Sequence, residues 1–489
     1  MGIILKKSVA NSIVLYGGTA LGAILTIFIF PNYLTPNEYG LTRILISFGA
    51  LASTFGTFGM RSVVVRYFPL FNRENNILNS GLLGMSFYIT LAGTLFVSII
   101  FLLAKPWIIS SSQSNNTLLV DYYLLIVLLI IARSYYELFT SYLKGLNHTV
   151  FSIASHEIIQ RVAIIASIVA YALGYINFEN FILFFVLSHV LTPFLLFLYL
   201  VKLKHWNLKI SRTIFRPLLL SSIIRYSLFS ILGGITSVII GRIDIVMLGA
   251  FSNLSDVSVY AVAFYFSSVI GIPQKSIFQI AVPVISSSIK TKDYNNVEII
   301  YKKSAFIQLI MGTFILLLIT INTPYILSLL PTNYMAAKNI IIIIGLAKVF
   351  DMASGLNGGI IRMSKYYQFD FIANILLIVL SISSNLLLIP KYGITGAAIA
   401  TALTIFIYNL IKVIYLWYEI GIQPFKWNHL VTFLITLSLY ILNNNLPTLS
   451  NTFMDISYRN IIIIALYFGL LYSFRIMREV TDMFLNQKK

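Results

Sequence analysis

The residues of this chain that could do chemistry are charged side chains set inside long apolar runs. In "IIGRIDIVMLG" (Ile239 to Gly249), Arg242 and Asp244 stand among isoleucine, valine and methionine. Lys348 and Asp351 lie three apart in a second such run. Arg133 with Glu137, and Glu157 with Arg161, lie four apart and can pair on one helix face. Arg43 and His189 stand singly. An ionised side chain at mid-bilayer costs about 2.5–3.5 kcal/mol on insertion scales, and it usually faces a bundle interior or a wet cavity. The chemistry open to these groups is electrostatic. Guanidinium and ammonium groups hold phosphate oxygens, and carboxylates hold cations. Residues two apart point about 200° around a helix, so Arg242 and Asp244 cannot satisfy each other locally. The two spaced pairs read first as structural ion pairs, His189 as a packing residue, and Arg43 as either a snorkelling or a cavity residue. Arg242 and Lys348 sit deepest and are the leading cavity candidates.

Other chemistry lacks its residues. No Gly-Lys dipeptide occurs, so there is no phosphate-binding loop of the Walker type. "HEIIQ" (His156 to Gln160) has Gln160 where a zinc-protease helix carries its second histidine. With 5 His and no Cys, neither a catalytic metal nor another cofactor is expected. No nucleophile elbow appears, so the chain reads as a non-enzyme.

The elements that must position the charges follow from composition. Of 489 residues, 58% are hydrophobic and 10% charged, against about 25% charged in a soluble domain. This is an all-α polytopic membrane protein. Lys6 and Lys7 precede an apolar run too long for a cleavable signal, which reads as a first span. Spans of roughly 20 residues can be placed about 14 times. With the N-terminus inside, most Lys and Arg fall on inner connectors, including Arg61, Arg73, Arg212, Arg216 and Arg478. Outer segments keep only Lys105, Lys338, Lys391 and Arg459. That asymmetry puts both termini in the cytoplasm. It also explains the net charge of +18 by membrane topology, without nucleic acid.

The expected domains are a six-helix lobe over 1–201, a basic cytoplasmic linker over 202–221, a second six-helix lobe over 222–420, and two further helices with a tail over 421–489. The halves resemble each other. "YGGTALG" (Tyr16 to Gly22) recurs as "LGGITSV" (Leu232 to Val238), and "LTPNEYG" (Leu34 to Gly40) as "LSDVSVYA" (Leu254 to Ala261). Six spans return the chain to its starting side, so the lobes share orientation about a pseudo-twofold along the membrane normal. The segment matching Arg242–Asp244 in the first half, "ILTIF" (Ile24 to Phe28), has no charge. A packing need would recur in both halves; these charges serve something held between them.

"LTPNEYGL", "RIDIVMLGAFSNLSDVSVYAVAF" (Arg242 to Phe264) and "NLLLIPKYGITGAAIATALT" (Asn385 to Thr404) occur in an order and spacing that resemble the Wzx-type polysaccharide flippases. These are the O-antigen transporters of the multidrug/oligosaccharidyl-lipid/polysaccharide exporter superfamily. The resemblance implies a flippase of the bacterial inner membrane, serving lipopolysaccharide or other surface polysaccharide assembly. Its substrate would be an undecaprenyl-diphosphate-linked oligosaccharide, moved from the cytoplasmic to the periplasmic leaflet through a cationic central cavity while the tail stays in membrane lipid. A polysaccharide polymerase and a chain-length regulator are the implied protein partners. On this reading Arg242 and Lys348, with Arg43 and Arg161, hold the diphosphate or acidic sugars. Asp244 and Asp351 keep the cations placed or bind a coupling ion, and Tyr16, Asn374 and Asn385 meet sugar hydroxyls.

Two rivals differ in their needs. A multidrug-type cation antiporter shares the fold but commonly uses a carboxylate in span one, and Val9 to Phe30 contains no Asp or Glu. A polytopic polymerase or glycosyl transferase needs a sizeable outer loop, and the outer loops here are short.

Overall fold

The computed structural model describes residues 2–72, 81–111, 117–210 and 217–476, and among these every regular element is helical. Arg73, Arg212, Arg216 and Arg478, assigned to inner connectors from the sequence, lie outside the described residues. The chain packs as two compact units, Met1–Ala261 and Val262–Lys489.

In the first unit, α1 (Gly2–Ala23) passes through a π-helical turn, Ile24–Ile29, into α2 (Phe30–Tyr33). Next come α3 (Pro36–Gly56), α4 (Met60–Asn72), α5 (Leu82–Leu103), and the short α6 (Lys105–Ser111) and α7 (Thr117–Asp121). α8 (Leu125–Gly145) precedes α9 (Thr149–Ala154), a second π-turn Ser155–Ile159, and α10 (Gln160–Ala172). α11 (Phe178–Lys202), α12 (Pro217–Phe251) and α13 (Leu254–Ile270) follow, the last crossing the unit boundary. In the second unit lie α14 (Ile272–Lys290), α15 (Tyr294–Ser328), a 3-10 turn Thr332–Ala336 and α16 (Ala337–Ala353). α17 (Asn357–Met363), α18 (Tyr367–Ile420), α19 (Trp427–Asn445) and α20 (Thr452–Ser473) complete it.

Among the described residues, eight helices are long and apolar enough to cross a membrane, or up to 11 if each bent pair is one span. Fourteen is a finer number than length and apolarity supply. One reason is visible in α18, whose 54 residues are interrupted at Gly393 (φ 55°, ψ −131°), a conformation glycine adopts without penalty. Another is α19, where three consecutive asparagines dilute the apolar run.

The motif "LTPNEYG" starts α3. The Thr35 hydroxyl accepts from the Glu38 N–H at 3.3 Å, and the Glu38 carboxylate accepts from the Thr35 N–H at 2.8 Å. With Pro36 at the first helical position, this is a full capping box. Its glycine has a packing role: a Cβ on Gly40 would lie 1.9 Å from the Leu254 carbonyl oxygen. The outer-loop motifs of the two halves therefore touch, and the contact tolerates no side chain. The other end of α3 breaks at Phe58 and Gly59, both at positive φ, and α4 leaves at 47°. Ser227 of α12 closes that corner by donating to the Phe58 carbonyl. Held at both ends, α12 lies along α3. For this reason the packing boundary falls at Ala261, beyond the linker expected over 202–221. The start of that linker docks on the first unit, with Trp206 edge-on to Phe87, Phe139 and Phe197 at 4.6–5.8 Å.

Candidate functional site

The first unit gathers its charges into a line across three helices. Glu137 of α8 is buried and accepts from Arg133 Nε, one turn earlier, at 3.2 Å. It also accepts from Arg61 Nη1 of α4 at 3.3 Å. The bend between α3 and α4 brings Arg61 there, so an arginine assigned to an inner connector becomes part of the cluster. Both arginine side chains remain 39% exposed. The other end of Arg133 reaches His156, Nη1 to Nε2 at 3.1 Å. His156 Nδ1 is 3.2 Å from Glu157, and Glu157 holds Arg161 at 2.6 Å.

The π-turn makes this line continuous. Such turns often mark functional positions. Here His156 lies on α8, stacked on Tyr136 at 5.0 Å, while Glu157 faces α1. Helix α1 can approach only because position 18 is glycine: a Cβ there would sit 2.5 Å from that of Glu157. The "YGGTALG" motif thus has a packing reason in the first half.

Two further arginines flank the line. Phe30 and Tyr39 stack on each other at 4.9 Å, and Arg43 of α3 lies beside the stacked pair, its guanidinium carbon 4.8 Å from each centroid. It donates to Thr26 at 3.2 Å, and its Nε is buried without a partner. Arg242 of α12 is half-buried and has no carboxylate within 4 Å among the described residues. Arg133 and Arg43, both of its own sign, act on it electrostatically. Asp244 does not answer it. As the 200° offset requires, Asp244 turns the other way, is buried, and accepts from the Tyr260 hydroxyl at 2.8 Å. His189 donates through Nδ1 to the Phe185 carbonyl at 2.9 Å, the packing role expected of it. Three arginines (61, 133 and 161) thus share two carboxylates (137 and 157), and two more arginines (43 and 242) flank them.

The second unit treats its charges differently. Lys412 of α18 is buried and meets Asp370 at 2.7 Å, with the Tyr408 hydroxyl beside it. Asn374 donates to Asp370 at 3.3 Å and accepts from Tyr408 at 2.7 Å. Lys348 and Asp351 approach to 3.9 Å. Asp351 also accepts from Asn409 at 2.9 Å, and Asn409 accepts from Asn357 at 2.9 Å. Asn385 is fully buried and donates to the Ser381 carbonyl one turn back at 2.9 Å. Tyr16 of α1 is 52% exposed.

Of the site residues expected from sequence, Arg43, Arg161 and Arg242 gather in the first unit. Lys348, Asp351 and Asn374 belong to the network of the second. Sequence reasoning passed over Arg61, His156, Asp370, Tyr408, Asn409 and Lys412. A signal existed for some of them. Lys412 interrupts "NLIKVIYLWY" with no neighbouring acid, and Asp370 precedes Asn374 by one helical turn.

The solved structures share this fold. A lipid II flippase MurJ in an inward closed conformation superposes with a TM-score of 0.74 at 18% identity, over 96% of this chain and 99% of that one. An inward-facing multidrug resistance MATE family transporter of the MOP superfamily gives 0.64 at 14%, over 82% and 94%. A MATE structure in the bent conformation gives 0.54 at 16%, over 85% and 95%. No curated protein sequence matches the chain. The family described as "Polysaccharide biosynthesis protein" matches residues 5–289, which hold the whole arginine line, and the chain belongs to that family.

Proposed function

We propose that this chain is a flippase for lipid-linked oligosaccharides in surface polysaccharide assembly. Its substrate is an undecaprenyl-diphosphate-linked oligosaccharide, turned from the cytoplasmic to the periplasmic leaflet of a bacterial inner membrane by alternating access. The cationic cavity, the cytoplasmic termini and a service to a polymerase and a chain-length regulator belong to the same proposal. The observation that carries it is the surplus of arginine in the first unit. Arg61 and Arg133 are well exposed, and Arg242 has no carboxylate partner among the described residues. A diphosphate diester carries about two negative charges, and planar guanidinium groups bind its oxygens in pairs. The buried cation–carboxylate balance of the second unit leaves Lys348 a weaker ligand than Arg242, since Asp351 already faces it.

The membrane potential drives such a substrate outward. One charge crossing 100 mV is worth about 2.3 kcal/mol, so an uncompensated dianion gains roughly 4–5 kcal/mol. The fold neighbours leave a multidrug antiporter as the second reading. A lipophilic cation would meet the surplus arginines unfavourably, and α1 offers no carboxylate between Ile13 and Ala23.

Reconstitution tests the proposal. Proteoliposomes carrying the protein should translocate a fluorescent undecaprenyl-diphosphate oligosaccharide, and Arg133→Gln with Arg242→Gln should stop it. Unchanged flipping in the double variant, or drug export in its place, would end this reading.

A further inference from the structure

The hydrogen bonds of His156 fix its protonation. A guanidinium has donors only, so the contact of Arg133 Nη1 with His156 Nε2 at 3.1 Å requires Nε2 to accept. A carboxylate accepts, so Nδ1, 3.2 Å from Glu157, carries the ring proton. The imidazole is therefore neutral, and its one free lone pair is occupied by Arg133. Arg133 has two holds. Its Nε stays on Glu137, which Arg61 also supports, while its Nη1 end is committed to the histidine.

Arg133 has further N–H donors on Nη1 and Nη2, and an anion that draws the guanidinium toward itself takes Nη1 off Nε2. The bared lone pair then stands beside Glu157 and the incoming negative charge. Both favour a proton on the ring, and the charge of Arg133, which opposes it, is now balanced by the anion. We propose that His156 Nε2 is a proton-binding site linked to anion binding at Arg133: a diphosphate takes up a proton as it binds, and releasing it returns Nε2 to Arg133.

The groups facing this site support a single titrating residue. From α8 come Arg133, Glu137 and the stacked ring of Tyr136. The π-turn and α10 bring Glu157 and Arg161, and α4 brings Arg61. Helix α1 presents Gly18. His189 of α11 is already committed through Nδ1 to a backbone carbonyl. Arg43 and Arg242 act from farther off on this cluster. Glu137 is held by two arginines and Glu157 by Arg161, so the His156 imidazole is the group in this line whose lone pair is bared when Arg133 moves. Linkage is reciprocal, so the same coupling makes acid strengthen anion binding.

This inference rests on the proposed anion-carrying role of the unit, and one experiment separates the two. The probe is P1,P2-dimethyl diphosphate, a diester whose charge is constant between pH 5.5 and 8.5. Its Kd for the purified full-length protein in lipid nanodiscs is measured across that range by calorimetry. In the wild type, Kd should fall as pH falls, approaching about ten-fold per pH unit on the steep limb for one linked proton. His156→Gln keeps an acceptor for Arg133 and a donor for Glu157, and should bind with a pH-independent Kd. Glu157→Gln should move the limb to lower pH, an outcome that does not require His156 to be replaced. Wild-type binding without pH dependence, or a slope unchanged in His156→Gln, overturns the linkage and leaves the anion site standing. Failure of the wild type to bind the diester at any pH overturns the anion site and the linkage together.

Discussion

The two units solve the problem of charge in an apolar fold in opposite ways. In the second, Lys412 and Asp370 are buried together, and Tyr408 and Asn374 occupy what remains of their hydrogen-bonding capacity. In the first, Glu137 and Glu157 each sit between basic groups, while Arg61 and Arg133 keep open sides and Arg242 has no acid. Desolvating a pair is costly, and its attraction repays that only when every donor and acceptor is used. The Lys412–Asp370 pair of the second unit comes nearer to that condition, with acceptors for two ammonium hydrogens and donors on both carboxylate oxygens. The first leaves positive charge unspent, which is what a site for a mobile anion requires. The difference lies in how many partners each cation keeps for itself, more than in how many cations there are.

Breaking the buried pair should have the largest effect. Lys412→Met leaves Asp370 with the Asn374 amide at 3.3 Å and Arg362 at 3.8 Å, and should cost about 3–5 kcal/mol of stability. Thermal unfolding in detergent would record it, and Lys412→Met with Asp370→Leu should recover at least half. Arg242→Gln should do the reverse. It removes a cation with no acid to orphan, so the unfolding midpoint should hold or rise, while flipping falls about 10- to 100-fold, or roughly 1.4–2.8 kcal/mol of lost stabilisation. A variant that unfolded early instead would place Arg242 with the structural charges and erase the contrast.

Gly18→Ala tests the packing beneath the arginine line. The added methyl meets Glu157 and should cost about 1–3 kcal/mol by overpacking, with Glu157→Gln at the same site giving no relief, because the crowding atom is its Cβ. Asp244→Asn should be the mildest. The amide oxygen still accepts from Tyr260, so the loss should stay near 1 kcal/mol and flipping should be nearly normal. A large flipping defect there would mean that Asp244 works with Arg242 after all.

Much of this was legible in the residues. Spacing of four gave the Arg133–Glu137 and Glu157–Arg161 pairs, and an offset of two kept Arg242 and Asp244 apart, because helical geometry alone decides both. The all-helical class and the family followed from apolar run length and motif order. What stayed hidden depends on tertiary bends. Arg61 joins the cluster only because Phe58 and Gly59 turn α4 by 47°. His156 bridges two pairs only because a π-turn interrupts the rod it belongs to, and no sequence period announces a π-turn. Lys412 and Asp370 are 42 residues apart, on two arms of α18 that Gly393 folds back. Residue type alone marks Tyr16 and Asn385 as sugar contacts; the fold adds that Asn385 is buried and donates to the Ser381 carbonyl of its own helix.

Arg43 carries a last consequence. Set against the stacked pair of Phe30 and Tyr39 and tied to Thr26, it is not free to chase a ligand. Its charge stays in place whether cargo is present or gone. It acts through space, keeping the local potential positive. Under the proposed function, when a diphosphate departs the attraction for the next one needs no rebuilding: it is stored in a cation held beside a stacked aromatic pair.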